Sequence, residues 1–349
     1  MAKEPVAPHT LPAKKGSGAL AALGWGACAL GAGLAGLTAG VTLRYLLDTP
    51  QMLSSSLPGK GRIDHTHGGA VYYTVAGSDD AQPVILLHDF YPGASSADYQ
   101  ALFERLTPTY RVYALDWLGW GMSERPAIAF TGEFYAAVLR GFVQDVVDRP
   151  VVALATGRAA GIAVRAASDA PKLFARLVLI APDLMADEQA EPAFAQSLVM
   201  IAQRLALGIV PAAFLSTRSA LRWAEAQRTS AGITGMANVS RETLQRLYAN
   251  THQLGGTHAL LAALKGALDL PMRNALALLE APTLLLAGAR GSQHYIEELG
   301  DLALLSPTVT LEVIPDAGNR PFDDAPVACV DRLTRWLAGD RATAQRGNF

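Results

Sequence analysis

Two strand-to-loop segments hold side chains with chemical potential. His88 and Asp89 follow the apolar run Val84 to Leu87, and Thr156, Gly157 and Arg158 follow the run Val151 to Leu154. Thr156 as nucleophile, Asp183 as acid and a histidine such as His252 or His258 as base would make a hydrolytic constellation, because a hydroxyl attacks only when a positioned base takes its proton. The competing reading is that Asp183 is a loop carboxylate paired with Arg158 and that these histidines, with His294, are surface or helix-capping residues. Other chemistries lack their residues. His65-x-His67 is an isolated pair without metal-ligand spacing, and no phosphate-cradling glycine motif sits between a strand and a helix, so no metal or cofactor is expected. A formal net charge of -2 with no basic run gives no electrostatic support for nucleic-acid binding. Cys28 and Cys329 lie in an apolar N-terminal stretch and a helical C-terminal pattern, places ill suited to a disulfide.

The elements around these residues are ordered motifs. Pro83 to Phe90 is followed by Tyr110 to Pro126, whose strand ends in Asp116-Trp117-Leu118-Gly119-Trp120-Gly121-Met122-Ser123. With the later segments Ala155 to Ala159, Gly288 to Gly291 and Gly318-Asn319, this framework resembles the α/β-hydrolase family, in the capped branch of haloalkane dehalogenases and epoxide hydrolases. The resemblance runs from about Gly69 to Leu337. It implies a mostly parallel sheet with helices on both faces, and it implies where a triad would stand. Gly157 matches the nucleophile of the strand–turn–helix elbow, Gly291 the acid and Asn319 the base. A hydrogen cannot attack a carbonyl, and asparagine cannot exchange a proton near neutral pH. The resemblance therefore implies a catalytically inactive relative, an accessory, interaction or ligand-binding protein. The alternative is a hydrolase of ester, lipid or related bonds that uses a displaced constellation. His88 matches a residue that organises the strand-end loop. Asp89 replaces a customary glycine and would set a carboxylate, with Phe90 beside it, against the charge an oxyanion hole must stabilise.

Strand signals recur over 69–76, 84–87, 112–115, 151–154, 177–180, 283–286 and 310–314, with helical stretches between most of them, the pattern of an α/β fold. Between Asp183 and about Ala275 only helical spacing appears: Ala193 to Leu207, Pro211 to Gln227, Arg241 to Gln253, with Ser240 as N-cap, and His258 to Leu268. This reads as a helical cap in which Phe194, Met200, Phe214, Trp223, Met236 and Tyr248 either line a pocket for an apolar small molecule or pack between helices. The expected divisions are a tail at 1–17, a transmembrane helix at 18–43, a linker at 44–68, core at 69–183, cap at 184–276, core at 277–340 and a tail at 341–349.

The N-terminal expectation rests on the uncharged stretch between Lys15 and Arg44. Ala19 to Leu43 as a helix would span about 37 Å at ~1.5 Å per residue, enough for a bilayer core of ~30 Å. Ala32, Gly36 and Gly40 repeat on one face and would allow self-association or contact with a membrane-protein partner, or they reflect a glycine- and alanine-rich composition. A cleaved secretory peptide is the competing reading; the length of the stretch and the following Arg44-Tyr45 favour a retained anchor. Lys14 and Lys15 lean the orientation towards an N-terminus in the cytoplasm and a globular domain outside.

Overall fold

The computed structural model describes residues 36, 39–66, 68–184, 213, 215–228, 239–318 and 320–339. The chain divides into two compact units, Met1–Leu47 and Asp48–Phe349. In the first unit residues 39–47 are helical. No helix among the described residues is long and apolar enough to cross a membrane, and most of the expected span at 18–43, including Ala32, lies outside them.

The second unit holds an eight-stranded sheet. Its strands are β1 (Lys60–Thr66), β2 (Gly69–Ala76), β3 (Pro83–Leu87), β4 (Arg111–Leu115), β5 (Val151–Gly157), β6 (Phe174–Pro182), β7 (Thr283–Gly288) and β8 (Val309–Ile314). They lie in the order β1-β2-β4-β3-β5-β6-β7-β8. The β1–β2 and β2–β4 pairs are antiparallel, and the rest are parallel. Strand β1 corrects the expected linker, which was drawn to residue 68. Its sequence KGRIDHT carries charged residues and one large apolar side chain, so it lacks the buried signature of its neighbours, and its ladder to β2 supplies the missing order.

Strands β3 and β7 are buried along their whole length, as expected of a sheet covered on both faces. Alternation sorts their side chains. Val84, Leu86, Val152, Leu154 and Val178 pack with Leu102 and Phe103 of α1 (Gln100–Leu106) on one face. Ile85, Leu87, Ala153, Ala155 and Leu179 pack on the other with Leu139 and Phe142 of α2 (Gly132–Phe142) and Ile162 of α3 (Ala159–Asp169). Each large side chain removed from water contributes roughly 1.5–3 kcal/mol, enough to fix strand register and hence the loops at the strand ends.

Among the described residues between β6 and β7 lie the helices α4 (Arg218–Arg228), α5 (Arg241–Thr251) and α6 (Gly256–Leu264), with a further short helix at Arg273–Leu278. Ser240 caps α5 by accepting a hydrogen bond from the Thr243 N–H at 2.9 Å. Tyr248 is buried, with the His252 ring at 3.8 Å and the Arg218 guanidinium at 3.9 Å from its ring, whereas Trp223 is half exposed. The expected helix at 193–207 and Phe194, Met200, Phe214 and Met236 lie outside the described residues. After β7 come α7 (Gln293–Ala303) and, after β8, α8 (Pro326–Leu337).

Candidate functional site

The parallel register of β3 and β5 sets Leu87 opposite Ala155, so two further residues bring Asp89 alongside Gly157. Gly157 ends β5 with φ 54°, a left-handed conformation that makes the sharp turn into α3. A Cβ built at Gly157 would meet Asp89 Oδ1 at 2.6 Å, and the Asp89 Cγ and Oδ2 closer still. The Asp89 carboxylate thus fills the volume that a side chain at the elbow would occupy. Its Oδ1 accepts hydrogen bonds from the backbone N–H of Phe90 at 2.7 Å and of Arg158 at 3.0 Å. One N–H comes from the loop after β3 and one from the residue after the elbow, the two donors that make an oxyanion hole in this architecture. The chain's own carboxylate occupies both donors.

The supports of this arrangement are rigid. His88 is fully buried, with Nδ1 donating to the Asp89 carbonyl at 2.8 Å and Nε2 accepting from the Trp117 N–H at 3.3 Å. Both ring nitrogens are engaged, which fixes the tautomer and the orientation of the ring. Phe90 is locked by Trp117, Trp120 and Tyr135, with ring centroids 5.6, 5.7 and 4.9 Å away. After β4, Asp116 accepts from the Ser96 N–H at 2.6 Å through Oδ1 and from the Met122 N–H at 2.7 Å through Oδ2. Ser123 closes that turn by donating to the Asp116 carbonyl at 2.6 Å.

Thr156 Oγ1 lies 3.0 Å from the Tyr99 hydroxyl, which also donates to the Leu87 carbonyl at 2.8 Å. Burial, foremost, pushes the Tyr99 phenol above its ordinary range, so it stays neutral and cannot take the threonine proton. Arg158 lies 3.3 Å from both Asp183 and Asp269 through Nε and donates to the Ala263 carbonyl at 2.6 Å through Nη1. Burial, then the fields of Asp183 and Asp89, raise the Asp269 carboxyl above the usual range against the opposing pull of Arg158. Gly291 sits in the turn between β7 and Ser292, the N-cap of α7. Asn319 lies outside the described residues. His252 is buried on Tyr248, 3.6 Å from Asp48, while His258 and His294 are exposed. No histidine among the described residues lines the cavity at the elbow.

That cavity measures about 530 Å³. Asp89, Thr156, Asp183, Ser292, Tyr295 and Arg320 contribute its polar wall. Sequence reasoning missed Tyr295 and Arg320. The Tyr295 hydroxyl donates to the Pro182 carbonyl at 2.8 Å, and burial first, then Asp183 and Glu298, raise its phenol. Arg320 is buried and binds Glu225 of α4 at 3.1 Å and Asp323 at 2.5 Å. Burial alone would favour the neutral guanidine; Tyr91, Asp98, Asp323 and Glu225 outweigh it and hold Arg320 charged. Its place one residue after Asn319 was the only available signal, because the partners that bury it are distant in sequence. A larger cavity, about 770 Å³, lies between α5 and the segment 51–56 and shares Asp98 and Arg320 with the elbow cavity.

The model of the alpha/beta hydrolase family matches residues 84–332, and the chain belongs to that family. Among curated proteins none matches by sequence. Among solved structures, Cfl2 from Burkholderia cenocepacia is similar at 22% identity with a TM-score of 0.67, covering 82% of this chain and 99% of that one. A membrane phospholipase A described as a bacterial virulence factor is 18% identical with a TM-score of 0.62, covering 93% and 96%. A thermophilic esterase from Thermogutta terrifontis is 20% identical with a TM-score of 0.61, covering 80% and 98%. At these identities the likeness is one of fold.

Proposed function

We propose that this chain is a small-molecule-binding member of the family in which serine-type acyl transfer is closed off. One observation carries the reading: the Asp89 carboxylate rests on both N–H donors of the oxyanion hole and fills the space beside Gly157. A tetrahedral oxyanion would have to displace a negative charge from the donors that should stabilise it, and those donors are normally worth about 3–4 kcal/mol to the transition state. The cavity beside them supports ligand binding. In this reading the protein serves as a ligand-binding or accessory component. The uncharged stretch between Lys15 and Arg44, and a likeness to a membrane phospholipase that covers 93% of the chain, support a membrane anchor with Gly36 and Gly40 available for helix contact.

Hydrolysis with a displaced nucleophile is the second reading, and the relatives favour it, since their titles name esterases, a phospholipase and an epoxide hydrolase. Asp89 would then supply the nucleophile through Oδ2, with Oδ1 held in the hole. One set of measurements separates the two. The purified protein is incubated with a fluorophosphonate and with a panel of esters and epoxides, and native mass spectrometry is run on detergent-extracted material. The first reading expects no adduct, no turnover and a co-purifying small molecule. Turnover lost on Asp89→Asn would replace it with the second.

A further inference from the structure

The wall of the elbow cavity is asymmetric in charge. Asp89 spends Oδ1 on two N–H groups, and among the described residues no cation pairs with its Oδ2. The neighbouring cations are committed elsewhere: Arg158 to Asp183 and Asp269, Arg246 to Asp98 at 3.1 Å, and the two terminal nitrogens of Arg320 to Glu225 and Asp323. Asp98 and Asp183 line the same cavity. The raised carboxyl of Asp269, to which both Asp183 and Asp89 contribute, reports the same negative field from a neighbouring position.

A second feature is independent of the carboxylates. Arg320 also lines this cavity with only 6% of its surface exposed, and its Nε–H is buried without a hydrogen-bond partner. A buried donor left unmade costs about 1–3 kcal/mol, so an oxygen acceptor is expected there.

Resting on the ligand-binding reading above, we propose that the elbow cavity takes a small amino-acid-like zwitterion, its ammonium group on Asp89 Oδ2 and its carboxylate or carbonyl oxygen towards Arg320. Thr156 and Ser292 then act as neutral hydrogen-bonding partners along the wall. The apolar surface of Ile180, Pro182 and Phe322 limits the molecule to a short aliphatic body. Long acyl chains are disfavoured, because the charged wall would lose its solvation to no partner.

The test is isothermal titration of the full chain with four matched probes: γ-aminobutyrate, n-butylamine, butyrate and butyramide. The expected order places γ-aminobutyrate first, at least about tenfold tighter than butyramide. Asp89→Asn, which keeps an oxygen for the two N–H donors, should remove that advantage for both ammonium probes and leave butyramide unchanged. Asp183→Asn, read by the same titration, should weaken the ammonium probes less. Equal binding of charged and neutral probes, tighter binding of butyrate, indifference to Asp89→Asn or failure of all four probes overturns the inference. The ligand-binding reading itself falls separately, if native mass spectrometry finds no bound molecule on the extracted protein.

Discussion

Two carboxylates in this molecule sit on backbone N–H groups against a glycine, and they differ in burial and in how their oxygens are used. At the turn after β4, Asp116 is 2% exposed and uses both oxygens, one on Ser96 N–H and one on Met122 N–H; a Cβ at Gly121 would run into it. At the elbow, Asp89 puts both of its N–H bonds on Oδ1 and leaves Oδ2 on a cavity, with Gly157 making room. The first carboxylate has its acceptors exhausted and serves to fix a turn. Both residues line cavities, but the second keeps an acceptor in reserve. A glycine cradle holds either kind; the unspent oxygen distinguishes the site from the strut.

The contrast is sharpest in stability. Asp116→Ala should cost on the order of 3 kcal/mol or more in chemical denaturation, because it strands buried N–H donors. Asp89→Ala should cost under about 1 kcal/mol, since Asp89 is partly exposed where Asp116 is 2% exposed, and water can reach its vacated donors. Equal losses would break the distinction. Next, Gly121→Ala should destabilise by about 3 kcal/mol, combining left-handed strain with overlap onto a carboxylate that cannot move. Gly157→Ala should cost about 1–2 kcal/mol, because Asp89 can swing towards the cavity. Smaller again, Thr156→Val should lose about 1 kcal/mol with the Tyr99 contact and leave any turnover intact, which checks that its hydroxyl is not a nucleophile. The least effect is expected at Cys329, whose thiol burial pushes up to about 12. Below that pH it remains a protonated thiol, so iodoacetamide at pH 8 should spare it in every folded variant and modify it only after denaturation, as read by peptide mass.

Much of the fold was legible because central strands declare themselves locally. Apolar runs such as Val84 to Leu87 and Thr283 to Leu286 can be buried on both faces in few other ways. Strand β1 was not legible: Lys60, Arg62 and Asp64 alternate at an exposed edge, and pairing with β2 supplies the order that composition does not. At the site, the sequence located Gly157 and Asp89 separately through their motifs. Their interlocking depends on the β3–β5 register and on χ angles that no motif encodes. Arg320 and Tyr295 were hidden for a related reason, since Glu225, Asp98 and Pro182 lie far from them in sequence and give a local reading nothing to recognise.

The account stands on the steric exchange between positions 89 and 157, and a double-mutant cycle in chemical denaturation tests it most directly. Gly157→Ser alone should destabilise by about 2–3 kcal/mol, and in an Asp89→Gly background the same substitution should cost at least about 1 kcal/mol less. An identical cost in both backgrounds would mean that the Asp89 carboxylate does not occupy the elbow, and the occupied oxyanion hole would fall with it.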